Sequence, residues 1–289
     1  MKCTHDCSSC GSHRETCGHE PKNPRDGIMK LPVNKASSIK RVIGVISGKG
    51  GVGKSSVASL LAVEAARAGY RTAILDADIT GPSIPKIFGI KEKATGTDTA
   101  LLPLLTDLGI KLMSVNLLLP DETDPVVWRG PVLGTIIHQF WSDVIWGDID
   151  IMFVDMPPGT GDVALTVYQS LPVDGIVIVT SPQALVGMIV EKAVKMARKM
   201  DIPILGLVEN MAYFLCPHCG NRYELFGPAR IDETGKKYKI ENLLTLPMDP
   251  ALMEACDQGR IETYRKDGIG PFLKGLLMEK AKAEGEDRP

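Results

Sequence analysis

The chain has 289 residues, a formal net charge of −2, 24% charged residues and 5% aromatic residues. That balance supplies no overall basic field for nucleic acid or an anionic membrane, and too few rings for a platform that stacks single-stranded bases. No run of 18 apolar residues occurs and the N-terminus lacks the apolar core of a signal peptide, so a cytoplasmic protein without membrane or nucleic-acid partners is expected. In that compartment the seven cysteines are expected as thiols or metal ligands, not as structural disulfides.

Residues 1–38 read as an appendage to a core domain of residues 39–289. They hold Cys3, Cys7, Cys10 and Cys17, with several Pro and Gly and almost no apolar periodicity. Four cysteines in fifteen residues without a core of their own can be organised only by a metal. Zinc, with His5, His13 and His19 as spare nitrogen ligands, an iron–sulfur cluster, and a segment left unordered without metal are all open at this point.

From Arg41 onward, short Val/Ile/Leu runs at 41–47, 71–75, 110–115, 150–154, 174–180, 203–208 and 243–246 read as buried strands. Helices are expected between them at 55–68, 131–145, 184–200 and 250–257, with a last amphipathic one near 271–283. Such alternation specifies an α/β fold with a doubly wound, mostly parallel sheet, to which the Cys-rich N-terminal segment is a metal-binding extension. The Thr/Gly/Leu-rich stretch 91–109 reads as a loop or lid, and residues 284–289 as a frayed end.

Between the first strand and first helix stands Gly48-Lys49-Gly50-Gly51-Val52-Gly53-Lys54-Ser55, a complete phosphate loop with an extra lysine at its second position. The glycines let backbone N–H groups turn toward the phosphates of a nucleoside triphosphate. Lys54 adds charge at the β/γ-phosphates, Ser55 offers a hydroxyl to Mg²⁺, and Ser56 continues the nucleotide-binding run into the helix. Two further strands end in carboxylates, at Asp76-Ala77-Asp78 and at Asp155-Met156-Pro157-Pro158-Gly159-Thr160-Gly161-Asp162. Open α/β sheets bind ligands at that edge. Asp155 is the expected water-mediated Mg²⁺ partner, and Asp78 is placed to orient an attacking water. The run after Asp155 suits either a switch that senses the γ-phosphate or a static turn.

Cys216-Pro217-His218-Cys219 brings two thiolates close enough for one metal centre, but a tetrahedral zinc or a [4Fe–4S] cluster normally takes four ligands. Two subunits together would provide them. His218 is expected to face solvent, and Cys256, alone on a helix, to be a small packed or surface thiol.

The phosphate loop with its early lysine resembles the deviant Walker A loop of the MinD/ParA, nitrogenase iron protein and Mrp ATPases. More narrowly, Asp76 through Pro85, Trp128-Arg129-Gly130-Pro131, Asp155 through Asp162, and Val208-Glu209-Asn210-Met211 followed by Cys216 to Gly220 resemble the Mrp/ApbC-type iron–sulfur carriers. The likeness spans roughly residues 40 to 265. It implies ATP and Mg²⁺ as ligands, hydrolysis with Lys49, Lys54 and Asp78 as catalytic residues, and a sandwich homodimer in which Lys49 reaches the nucleotide of the other subunit. It also implies a [4Fe–4S] cluster on Cys216 and Cys219 between the subunits, and apo iron–sulfur proteins as recipients. By the same resemblance Asn210 bonds the adenine, the turn from Pro247 to Asp249 lies beside the base, and Cys3, Cys7, Cys10 and Cys17 hold a ferredoxin-like cluster. Two other readings share the nucleotide loop: a MinD/ParA-like spatial regulator, and an electron donor like the nitrogenase iron protein. The first calls for a basic amphipathic C-terminal helix, whereas the tail from Glu279 turns acidic. The second uses one cysteine from each of two loops, whereas this chain has a Cys-Pro-His-Cys pair.

Overall fold

Continuous apolar runs can be buried on both faces only if helices cover both sides of a sheet, and the expected strands assemble in that way. The computed structural model describes residues 31–79, 81–97, 100–119, 130–159, 161–183 and 186–286; Cys3, Cys7, Cys10, Cys17, Trp128 and Arg129 lie outside them. Eight strands form the main sheet: β1 (Val42–Ser47), β2 (Thr72–Asp76), β3 (Leu104–Leu105), β4 (Lys111–Met113), β5 (Ile151–Asp155), β6 (Gly175–Thr180), β7 (Ile204–Glu209) and β8 (Leu243–Thr245). Their order across the sheet is β8-β7-β6-β1-β5-β2-β4-β3, and every pair is parallel except β3 with β4.

The chain moves one way from β1 to β2 through α1 (Lys54–Arg67) and the other way from β6 to β7 through α5 (Val186–Lys199). Right-handed crossovers in opposite directions put those helices on opposite faces, which is the doubly wound arrangement. The remaining helices are α2 (Ile84–Ile87), α3 (Gly130–Ser142), α4 (Asp162–Ser170), α6 (Ile231–Tyr238), α7 (Pro250–Asp257) and α8 (Ile269–Glu286). Ile43, Val45, Phe153 and Ile178 at the middle of the sheet have no solvent exposure. Among the described residues no helix is long and apolar enough to cross a membrane.

Three departures from the sequence expectations have local causes. α4 follows a Pro/Gly-rich run and spans only nine residues, yet Ala164, Val167, Tyr168 and Leu171 recur at helical spacing and are buried. α6 is almost wholly polar and buries only Ile231 and Gly235, so few apolar residues mark it in the sequence. The stretch expected as a loop at 91–109 contains a short antiparallel pair, Gly96–Thr97 with Ala100–Leu101, followed by the edge strand β3. The last helix also runs on to Glu286, three residues into the segment expected to fray.

Residues 31–39 lie against the core. The Trp141 indole donates to the Leu31 carbonyl, the Ser37 hydroxyl accepts from the Trp146 N–H, and Ser38–Ile39 pairs in parallel with Asp148–Ile149. On the opposite flank, α8 seats the Phe272 ring directly on β7: a Cβ added at Gly206 would lie 2.7 Å from that ring. Phe272 is buried. Phe272→Ala is therefore expected to lower the unfolding free energy by about 3–5 kcal/mol in urea titrations, the cost of a large core cavity. A loss no larger than that of a surface substitution would contradict this packing.

Candidate functional site

β1 delivers the phosphate loop to the C-terminal edge of the sheet. Gly51 and Gly53 both have φ of 78°, a left-handed conformation that disfavours a side chain. Gly53 is constrained twice over, because a Cβ there would lie 2.3 Å from the Asn210 amide nitrogen. Lys54, in the first turn of α1, is 6% exposed. Its Nζ lies 2.6 Å from Asp155 Oδ1 and 3.5 Å from Asp78 Oδ2, while the Ser55 hydroxyl donates to Asp155 Oδ2 at 2.6 Å. The structure thus brings Lys54, Ser55, Asp78 and Asp155 to one point. The hydroxyl and carboxylate are hard oxygen donors, the set that fits Mg²⁺.

Strand register explains the carboxylates. Asp76 of β2 is directly opposite Asp155 of β5, so two acidic side chains are buried next to each other at the strand ends. Asp76 was not singled out as a site residue from sequence. Its oxygens accept hydrogen bonds from the Ser114 hydroxyl (3.0 Å), the Asp78 N–H (3.2 Å) and the Ile84 N–H (3.4 Å), which tie the Asp78 segment and α2 to the sheet. Complete burial, reinforced by the Asp155 charge, pushes the Asp76 carboxyl up to about 8. Burial also pushes Asp155 upward, opposed by Lys54 and Ser55.

Lys54, Ser55 and Asp78 wall a cleft of about 430 Å³ that also includes Gly50, Gly51, Ser83 and Pro158. Pro158 is held there because the N–H of the next residue, Gly159 (φ 84°), donates to the Ser47 carbonyl at 2.8 Å. Lys49 behaves differently. Its Nζ bonds Gln183 Oε1 after β6, and it is not among the residues lining the cleft.

A second, more apolar cavity of about 280 Å³ adjoins the first, lined by Asn210, Met211, Pro247, Met248 and Leu252 among others. Asn210 is buried, and its amide nitrogen donates to the Val52 carbonyl at 3.0 Å. Asp249 caps α7, accepting from the Ala251 N–H at 3.0 Å and the Tyr264 hydroxyl at 2.9 Å. Asn210, Pro247 and Asp249 are therefore brought together at the far side of Gly53.

Cys216 and Cys219 lie at the tip of a small hairpin, Phe214–Leu215 paired with Arg222–Tyr223. The turn closes with the Gly220 N–H donating to the Cys216 carbonyl at 2.9 Å, and Gly220 takes the positive φ (71°) the turn requires. The N–H groups of Cys219 and His218, with the Cys219 thiol, pull the Cys216 thiol below its ordinary pKa and toward the thiolate that ligates metals. Cys219 and His218 are exposed. Among the described residues no group of three or more His, Cys, Asp or Glu side chains is arranged to hold a metal. The root of the hairpin bonds directly to the Pro247 turn: the Ala212 N–H donates to the Leu246 carbonyl (2.9 Å) and the Met248 N–H to the Tyr213 carbonyl (2.7 Å).

The profile of the NUBPL iron-transfer P-loop NTPases, a ParA-type family, matches residues 38–271. The chain belongs to that family. An iron–sulfur cluster carrier protein of Clostridium perfringens is 43% identical over 269 residues, covering 89% of this chain and 94% of its own. One from Methanocaldococcus jannaschii is 42% identical over 260 residues, with 89% of each chain covered. Among solved structures, a nucleotide-binding protein of Archaeoglobus fulgidus in complex with ADP superposes with a TM-score of 0.72 at 47% identity, covering 79% of this chain and 90% of that one. The cell-division ATPase MinD of Pyrococcus furiosus shares the fold, with a TM-score of 0.59 at 18% identity. As a member of the NUBPL iron-transfer NTPases, the chain is a nucleotide-hydrolysing P-loop enzyme whose phosphate loop stands in the strand–loop–helix setting that its motif requires.

The Asp76 shift has a measurable consequence. In the unfolded chain its carboxyl releases a proton near 3.8, but in the folded protein only near 8, so its contribution to stability is complete below pH 4 and is lost as pH rises through 8. The stability of the wild type minus that of Asp76→Asn, which cannot titrate there, is expected to fall between those limits and level off above them. Denaturant titrations at stepped pH measure it; parallel profiles for the two proteins would show that Asp76 is ionised throughout.

Proposed function

We propose that this protein is an ATP-hydrolysing carrier of [4Fe–4S] clusters that works as a homodimer and passes its cluster to apo iron–sulfur proteins. The observation that carries the reading is the hydrogen-bonded junction between the cysteine hairpin and the turn that lines the base cavity, which ties a metal-ligand pair to a nucleotide site. The names of the curated relatives support the cargo. The ATP triphosphate would lie in the cleft on the N–H groups of residues 48–55, with its base between Asn210 and the Pro247–Asp249 turn. Lys54 exchanges its carboxylate partners for the β/γ-phosphates, and Asp78, freed from Lys54, orients the attacking water. Mg²⁺, held by Ser55 with Asp155 behind it, supplies charge neutralisation on the phosphate oxygens when bound. Lys49, bonded to Gln183 and outside the cleft lining, is available to the nucleotide of a second copy, where it would stabilise charge in the transition state.

Two thiolates from each of two copies complete the four-ligand set of a [4Fe–4S] cluster, so Cys216 and Cys219 define where the copies meet. The solvent-exposed Cys219 suits a cluster that must leave. Cys3, Cys7, Cys10 and Cys17 would hold a separate cluster in the N-terminal extension of residues 1–38, ahead of an ATPase domain at 39–289. The cytoplasm, where thiols stay reduced, is the matching compartment.

Anaerobic reconstitution with iron and sulfide tests this. The full chain is expected to hold about one cluster per chain in the extension plus about one per dimer at the hairpin. Cys216→Ala or Cys219→Ala should remove the second and leave Mg·ATP binding intact, whereas deletion of residues 1–30 should remove only the first. Zinc without visible absorbance in protein never exposed to oxygen would overturn the cluster assignment, and unchanged iron in both cysteine variants would overturn the hairpin site.

A further inference from the structure

The phosphate cleft and the base cavity share a wall: Gly53 and Ser56 from the phosphate-loop side, Cys256 and Asp257 from the last turn of α7. The two sides touch there, with Cys256 Sγ 3.8 Å from Ser56 Oγ. A nucleotide with its phosphates in one cavity and its base in the other must lay its sugar across this junction. Three side chains with polar groups face it. Burial pushes the Cys256 thiol up, which keeps it neutral, and the Ser56 hydroxyl is engaged by that thiol.

Asp257 is the unexplained member. Its counterpart at the start of the same helix, Asp249, has a structural role as a cap with three partners. Asp257 closes the helix at its C-terminal end, where the backbone dipole disfavours a negative charge. Its side chain is exposed, and among the described residues no hydrogen bond or ion pair engages its carboxylate. An ionised carboxylate only accepts hydrogen bonds, and the sugar hydroxyls are the neutral donors a ribonucleotide presents between its phosphates and its base.

We propose that Asp257 reads the sugar: its carboxylate accepts hydrogen bonds from the ribose hydroxyls and makes the site selective for ribonucleotides over deoxyribonucleotides. The assignment rests on the nucleotide reading of the two cavities and deepens it by naming the sugar class. It is independent of the cluster. The same negative charge opposes nucleotides phosphorylated on those hydroxyls.

Calorimetric titration of the full chain with Mg·ATP, Mg·2′-deoxy-ATP and Mg·3′-deoxy-ATP is the test, on wild type and Asp257→Ala. The wild type is expected to bind ATP about tenfold more tightly than at least one deoxy analogue, the factor of a hydrogen bond to a charged group. Asp257→Ala should bind ATP and that analogue equally, at the wild-type affinity for the analogue. Equal binding of all three by the wild type, or discrimination that survives in Asp257→Ala, would overturn the assignment. A uniform loss for every nucleotide in the variant would also overturn it, since that pattern marks a structural role. Wild-type protein that binds none of the three would instead overturn the nucleotide reading, and the sugar assignment with it.

Discussion

Everything at the functional edge is organised around one buried cation. Lys54 stands between Asp155 and Asp78, with Asp76 behind Asp155 on the adjacent strand. Three carboxyl groups and one ammonium group at the ends of parallel strands would be intolerable if all three acids were ionised, and the raised Asp76 pKa is how the site limits its charge. The arrangement has a directional consequence. In the proposed function, a triphosphate that took Lys54 would leave Asp155 and Asp78 to face a metal ion and a water, the partners that phosphoryl transfer requires.

The second constraint is connectivity. β7 ends at Glu209, and within the next few residues the chain places Asn210 against the phosphate loop, turns at Met211 with φ of 56°, and enters the cysteine hairpin. The return is anchored too, because the Arg230 N–H donates to Glu209 Oε1 at 3.1 Å before α6 begins. Arg222 lies over the Tyr213 ring, 4.0 Å from its centroid, and stiffens the hairpin base. The hairpin is thus fastened at both ends to residues beside the second cavity, which gives the nucleotide site and the cluster site proposed at Cys216 and Cys219 a short physical connection.

Much of this was legible in the sequence because the signals were local. The run Gly48 to Ser55 between a β-branched strand and an Ala-rich helix fixed the loop, and the Val/Ile runs located the main parallel strands. Long-range register was not legible: nothing near Asp76 in sequence says that it stands opposite Asp155, and it was passed over for Asp78. Helix α6 escaped because it offers too few apolar residues to mark a buried face, and α4 because the Pro/Gly run ahead of it masked the spacing of Ala164, Val167 and Tyr168. Asp257 and Cys256 were invisible as site residues, since the wall between the two cavities forms only when α7 packs on the first turn of α1.

The direct measurement of the carrier reading is transfer itself. Protein loaded anaerobically with cluster is mixed with an apo [4Fe–4S] enzyme in the presence of an iron chelator, and recovery of that enzyme's activity is followed with time. Recovery is expected to be faster than from equivalent free iron and sulfide, with chelator-resistant kinetics, and to be absent with the Cys219→Ala protein. An acceptor that stays inactive while the loaded protein keeps its cluster would contradict the carrier reading.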